Sequence, residues 1–178
     1  MMIEEPLYNN DLIETKPVSY LNTLNLFSTM TCVDETVQKY LLQADRINLS
    51  LVKARTMRVH SDWTASRADS AVAEYRKLLV LAKLGVHVVP GKDIDEIWHS
   101  HILFTKSYAS DCDSFFGYYL HHKPADGSSA EDNEKRKLSH TIMINMYKKY
   151  FCHVPPVSWN LNYSDPCGSM GCDTGCTC

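Results

Sequence analysis

The sequence predicts an all-α protein: a compact bundle of about five helices followed by a flexible, cysteine-rich C-terminal tail. Apolar residues recur at three-and-four spacing in several long segments, which is typical of amphipathic helices. The β-branched stretch from Val86 to Val89 is ended by Pro90 and Gly91 and leaves no room for a sheet. The chain has 178 residues, 44% of them hydrophobic, which is enough for one ordinary domain core.

The sequence pattern divides the chain into three parts. Residues 1–33 carry scattered apolar positions and are expected to form an N-terminal arm. Residues 34–160 carry the helical domain, and residues 161–178 lack periodicity and hold four of the seven cysteines.

The boundaries of the five helices follow from caps, stops and apolar spacing. Thr64 is a plausible N-cap for the second helix and Gly85 its C-terminal stop. In the fifth helix, the residues expected to face inward are Leu138, Ile142, Met143, Met146 and Tyr147. The predicted helices run from Asp34 to about Met57, from Thr64 to Gly85, from Gly91 or Asp93 to about Tyr108, from Ser110 or Asp111 to Tyr119 or Leu120, and from about Asp132 to Tyr150.

Charge and hydropathy argue against two classes of partner. The net charge of −3 gives no electrostatic reason to expect binding to nucleic acid or to an anionic membrane surface. The N-terminus lacks the basic start and apolar run of a secretory signal, and no apolar stretch reaches membrane-spanning length. We therefore expect a soluble, cytoplasmic protein that binds neither nucleic acid nor membrane.

The segment Asp93 to Pro124 holds four of the eight histidines: His99, His101, His121 and His122. Each helical residue turns the chain by about 100°, so Asp95 and His99 lie about 40° apart on one face. His101 lies about 200° from His99 by the same count and cannot point at the same ion.

Two interpretations of this segment follow. In the first, Asp95 orients His99 as a metal ligand, and His121 or His122 completes a site suited to zinc or iron. In the second, His101 faces inward and meets Asp111 or Cys112, which would allow either a ligand role or cysteine-based nucleophilic chemistry. The alternative to both is that histidines and aromatic residues at this spacing only pair and pack.

An ordered set of residues in this segment resembles a known family. Trp98, His99, His101 and Leu103 are followed by the pair Asp111 and Cys112, by Phe116 and Gly117, and by His121, His122 and Pro124. From Asp62 to Trp159 the sequence is similar to the glycine-rich domain-containing protein-like family, whose bacterial members commonly end in a tail rich in glycine and cysteine. The resemblance implies the same domain boundaries and polar residues, and it implies no particular reaction.

The tail cysteines are a second group of candidate ligands: Cys167, Cys172, Cys176 and Cys178. Their spacing lacks the paired Cys-x2-Cys of a zinc finger, but closely placed thiolates bind soft ions such as Cu(I) or zinc. The alternatives are free thiols or disulfides. The tail is also a candidate for binding a protein partner.

Three functions remain open on these residues. The first is a soluble metal-binding protein of unknown reaction, with a His/Asp site in the hairpin and a thiolate tail. The second is a non-catalytic protein-protein interaction module. The third is an enzyme that depends on Cys112 and a histidine. Whether the protein is an enzyme at all is left open.

Overall fold

Six α-helices and one short 3-10 helix make up the described part of the chain. The computed structural model describes residues 33–122 and 129–161, which all belong to the second of two units, Cys32–Cys178. No strand occurs in these residues, so the all-α class is confirmed and the number of helices exceeds the predicted five by one. The helices are α1 (Glu35–Asp45), α2 (Ser50–Val59), α3 (Ala65–Lys83), α4 (Lys92–Leu103), α5 (Thr105–Phe116), α6 (Ala130–Phe151) and the 3-10 helix η1 (Val157–Trp159).

Helix α3 is the central element and packs against α1, α2, α4 and α6. The Thr64 side chain accepts a hydrogen bond from the backbone N–H of Arg67, 3.2 Å away, which confirms the predicted N-cap. Gly85 follows the helix with φ of 80°, a conformation that favours glycine, and this confirms the predicted stop. Ten residues of α3 are buried, and they supply the middle of the core.

The predicted first helix is wrong as one continuous element, because the chain turns between Asp45 and Ser50. The turn buries Ile47 and Leu49, which are 7% and 3% exposed. The guanidinium of Arg76 on α3 donates to the carbonyls of Ala44 and Ile47, at 3.2 and 3.1 Å. Arg76 thus satisfies the carbonyl of Ile47 and adds a donor to that of Ala44, which already accepts from the backbone N–H of Ile47. A tertiary contact thereby stabilises two helices in place of one.

The histidine hairpin also bends earlier than predicted. Helix α4 ends at Leu103 and α5 begins at Thr105, so Tyr108 lies within the second helix of the hairpin and does not end the first. Helix α5 ends at Gly117, whose φ is 80°. His101 thus lies in the last turn of α4, beside the aromatic and polar face of α5.

Helix α6 buries a narrower stripe than its sequence predicts. Met143, Tyr147 and Phe151 are buried, but Leu138 and Ile142 are 63% and 48% exposed, so the prediction that they face inward is wrong. Helix α6 packs against α3, and its buried residues all lie in its C-terminal half.

The 3-10 helix η1 closes the core beside the start of α4. Trp159 is fully buried, and its indole N–H donates to Glu74 Oε2 at 2.7 Å. Its backbone carbonyl lies 2.7 Å from His140 Nε2. A Cβ added to Gly91 would lie 1.9 Å from the carbonyl oxygen of Ser158, so the approach of these two backbones requires glycine. This contact fixes the N-terminal end of the helix that carries Asp95 and His99.

None of the described helices is both long and apolar enough to span a bilayer.

Candidate metal centre

Asp95, His99 and His122 converge on one side of the hairpin. One ligand atom of each residue lies within 4.8 Å of the other two. Nε2 of His122 lies 2.8 Å from Oδ1 of Asp95, and Nδ1 of His99 lies 3.8 Å from Oδ2 of the same carboxylate. The side chain of His122 is 11% exposed, whereas that of His99 is 44% exposed. The centre therefore has a buried side and an open side.

Helix geometry and one aromatic contact place these three residues. Asp95 and His99 are one turn apart on α4, the arrangement expected from their spacing. His122 lies beyond the end of α5, where its imidazole packs edge-on against the Trp98 ring with centroids 4.4 Å apart. The Tyr108 hydroxyl donates to the carbonyl of Leu120 at 2.6 Å, which anchors the chain two residues before His122.

His121 lies outside this convergence, although it was an equal candidate from sequence. Its side chain is exposed and packs against the ring of Tyr119, with centroids 4.9 Å apart. Neighbouring residues of an extended segment point in opposite directions, so only one of the two histidines can face Asp95.

His101 lies in a separate, buried network. Its Nε2 lies 3.1 Å from Asp111 Oδ2, and its Nδ1 lies 3.0 Å from the hydroxyl of Tyr75. Burial lowers the pKa of His101, an effect that outweighs the opposing hydrogen bond and negative charge of Asp111. A neutral imidazole satisfies both contacts if its Nε2–H donates to the carboxylate and its Nδ1 accepts a hydrogen bond from the Tyr75 hydroxyl. Both ring nitrogens are thus already engaged.

Cys112 lies close to this network in a buried environment. The residue is 2% exposed, and burial raises the pKa of its thiol. The hydrogen-bond partners of the His101 ring are Tyr75 and Asp111, so the described contacts give Cys112 no base. The thiol is also hydrogen-bonded to Tyr108 and to the backbone of Leu120, so it takes part in the packing of the hairpin.

The four tail cysteines, Cys167, Cys172, Cys176 and Cys178, lie outside the described residues, so their proposed role is carried by the sequence alone.

A cleft of about 1220 Å³ opens beside the three candidate ligands. Asp95, Trp98, His99 and His122 form part of its wall, together with the connector between α3 and α4. The first turns of α6 complete the lining with Asp132, Asn133, Lys135, Arg136 and Ser139. The candidate ligands therefore face a space that is much larger than an ion requires.

Sequence reasoning missed a buried carboxylate on α3. Glu74 is 8% exposed and accepts hydrogen bonds from Tyr147, Trp159 and Lys77 at 2.7–2.9 Å. Burial, followed by the negative charge of Glu74, raises the pKa of Tyr147 far above its usual value. The one indication in the sequence was a glutamate within the apolar stripe of α3, beside Tyr75.

These observations define the class of protein: an all-helical domain with a candidate His/Asp metal centre in the wall of a cleft. The model of the UCP032817-like family matches residues 33–150, and the chain belongs to this family. The resemblance to the glycine-rich domain-containing protein-like family was therefore wrong. Several of the residues that suggested it, Trp98, His101 and Cys112, are buried in the hairpin. Neither the curated proteins nor the solved structures contain a match to this chain.

Proposed function

We propose that this protein binds a first-row divalent metal ion, zinc or iron, through Asp95, His99 and His122. The observation that carries the proposal is the convergence of one ligand atom from each residue within 4.8 Å. Imidazole nitrogen and carboxylate oxygen are ligands that both ions accept.

The distances leave only a small adjustment for an ion. Two ligand atoms, each about 2.0–2.1 Å from a tetrahedral zinc ion, lie about 3.3 Å apart. The distance from Asp95 to His122 is 2.8 Å and that from Asp95 to His99 is 3.8 Å, on either side of this value. Because the two imidazoles approach different oxygens of Asp95, binding requires shifts of both the carboxylate and the imidazoles.

Three protein ligands leave further coordination positions open. Two histidines and one carboxylate are the ligand set of catalytic zinc centres and of ferrous oxygenases, which keep open positions for water or substrate. Since His99 and Asp95 both line the cleft, the open positions face that space. An ion held in this way would activate bound water or dioxygen.

The decisive experiment separates this centre from the tail. In the full chain with Cys167, Cys172, Cys176 and Cys178 changed to serine, titration calorimetry with Zn²⁺ should show one binding site. His122→Ala should abolish it, whereas His121→Ala, the matched control, should leave it intact. Equal binding by both variants, or no binding by the parent, would contradict the proposal.

The tail is proposed as a second, separate site for Cu(I) or zinc, on the basis of its four closely spaced cysteines. Cu(I) competition with a chromogenic chelator tests it. The full chain should take up more Cu(I) than the variant with four serines, and equal uptake would contradict a thiolate site.

An interaction module is the second candidate function, favoured by the dry packing of the hairpin. Trp98 and Tyr108 are 4% and 1% exposed and hydrogen-bond to each other at 2.9 Å. Their role can therefore be to stabilise the fold, without any part in binding a ligand. This function predicts that the free energy of unfolding is indifferent to Zn²⁺ and to chelator. Zn²⁺-dependent stability would contradict it.

A further inference from the structure

We infer that the cleft beside the metal centre binds a small organic carboxylate, whose charged group lies between the bound ion and Arg136. This inference rests on the proposed function and extends it by naming the class of ligand. The juxtaposition of an open metal position, an apolar wall and an arginine within one cleft carries it.

The size of the cleft points to an organic molecule. Its volume of about 1220 Å³ is large beside the roughly 30 Å³ of a single water molecule. Small-molecule sites typically occupy about 300–1,000 Å³. A metal ion with its coordinated water would leave most of this space unused.

Part of the cleft wall is apolar. Val86, Val88 and Leu120 line it, and each is partly buried against the core. The edge of Trp98 continues this surface towards His122. A hydrated inorganic anion gains nothing from such a wall, whereas the hydrocarbon part of an organic acid is removed from water there.

Among the charged side chains of α6 that line the cleft, Arg136 is the candidate partner for an anionic ligand. Asp132 accepts a hydrogen bond from the Ser129 hydroxyl at 2.7 Å, and Lys135 pairs with Glu131 at 2.7 Å. Arg136 lines the same cleft, and no ion pair engages it among residues 33–122 and 129–161. Its planar guanidinium is suited to a carboxylate, which also binds readily at an open position of zinc or iron.

Cobalt substitution provides the test, because the visible spectrum of Co²⁺ reports on its coordination. The protein is the full chain with the four tail cysteines changed to serine and with Co²⁺ bound. Benzoate should change the spectrum at lower concentration than either benzamide, which lacks the charge, or inorganic phosphate, which lacks the apolar ring. Arg136→Gln should weaken benzoate binding by about two- to fivefold, the range for one exposed charge pair. Lys137→Gln, the matched control, should leave it unchanged because Lys137 lies on the same helix but outside the cleft lining.

The outcomes separate this inference from the proposed function. Failure of Co²⁺ to bind contradicts the metal site and, with it, the ligand. Co²⁺ binding with benzoate no tighter than benzamide or phosphate, or with Arg136→Gln indistinguishable from Lys137→Gln, overturns the carboxylate alone and leaves the metal site standing.

Discussion

His122 and Asp95 lie in direct contact, with Nε2 of the histidine 2.8 Å from Oδ1 of the carboxylate, although 27 residues separate them. The contact joins the segment after α5 to the exposed side of α4. A proton on Nε2 and a metal ion are competitors for this position, because a coordinating imidazole nitrogen must be deprotonated. The same pair can thus close the hairpin as a hydrogen bond or hold an ion together with His99.

Zn²⁺ should stabilise the fold through Asp95. In the variant with four tail serines, Zn²⁺ at a hundred times its dissociation constant should raise the free energy of unfolding by about 2.7 kcal/mol. Asp95→Asn should remove most of this gain, since an amide is a weaker ligand than a carboxylate. Urea unfolding with Zn²⁺ and with chelator measures the difference.

The control for this prediction is Asp113→Asn, which changes an exposed aspartate on α5. It should retain the full stabilisation by Zn²⁺. Equal loss in both variants would show that the effect reflects overall charge and not coordination.

Lowering the pH should destabilise the protein through His101. Its folded pKa lies below its ordinary value, chiefly because of burial, so the unfolded chain binds a proton first as the pH falls below about 6.5. The stabilisation is present above that pH and is lost as the pH approaches the lowered pKa of the folded state. At pH 5.5 the loss should be at most about 1.4 kcal/mol.

Urea unfolding at pH 7.5 and pH 5.5 measures this loss. His101→Gln keeps a polar side chain in the network but does not titrate, so the difference between the two pH values should shrink in this variant. The two proteins are otherwise identical, so contributions from the rest of the chain cancel in the comparison. An unchanged difference would exclude His101 as the source.

Local patterns in the sequence predicted much of the fold, and tertiary contacts decided the remainder. Thr64 and Gly85 act through the backbone beside them, so the sequence alone predicts both ends of α3. The break after α1 depends on Arg76, which is distant in sequence and donates to carbonyls at the turn. Because the helical spacing of apolar residues continues through the turn, the spacing alone does not predict the break between α1 and α2.

The sequence likewise predicted part of the candidate site, and contacts between elements decided the rest. Helical periodicity alone predicted that Asp95 and His99 share a face and that His101 lies on another. It could not choose between His121 and His122, because both follow the end of α5 in an irregular segment. The packing of His122 against Trp98 and the bond from Tyr108 to Leu120 make that choice, and both are contacts between elements.

Trp159 should stabilise the closure of η1 over α3 through its indole N–H. Trp159→Phe leaves the buried carboxylate of Glu74 with one donor fewer. We expect a loss of about 1.5–3 kcal/mol in the free energy of unfolding, the range for hydrogen bonds to charged groups. Chemical denaturation followed by circular dichroism measures it.

Trp63→Phe is the matched control, since Trp63 is also buried and its main described contacts are ring contacts with His60 and Arg67. A phenyl ring can keep part of both, so the loss should be smaller than that of Trp159→Phe. Equal losses would indicate that ring volume, and not the bond to Glu74, accounts for the effect.

Cys112 should react slowly with thiol reagents in the native protein. Burial both shields its sulfur and raises the pKa of the thiol, so little thiolate is present at neutral pH. Iodoacetamide at pH 7.5, followed by peptide mass spectrometry, should label Cys112 many times faster in urea than in buffer. His101→Gln should not slow the native reaction, because the imidazole is engaged by Tyr75 and Asp111 and does not activate the sulfur. Rapid native labelling that depends on His101 would instead favour an enzyme with a Cys112 nucleophile.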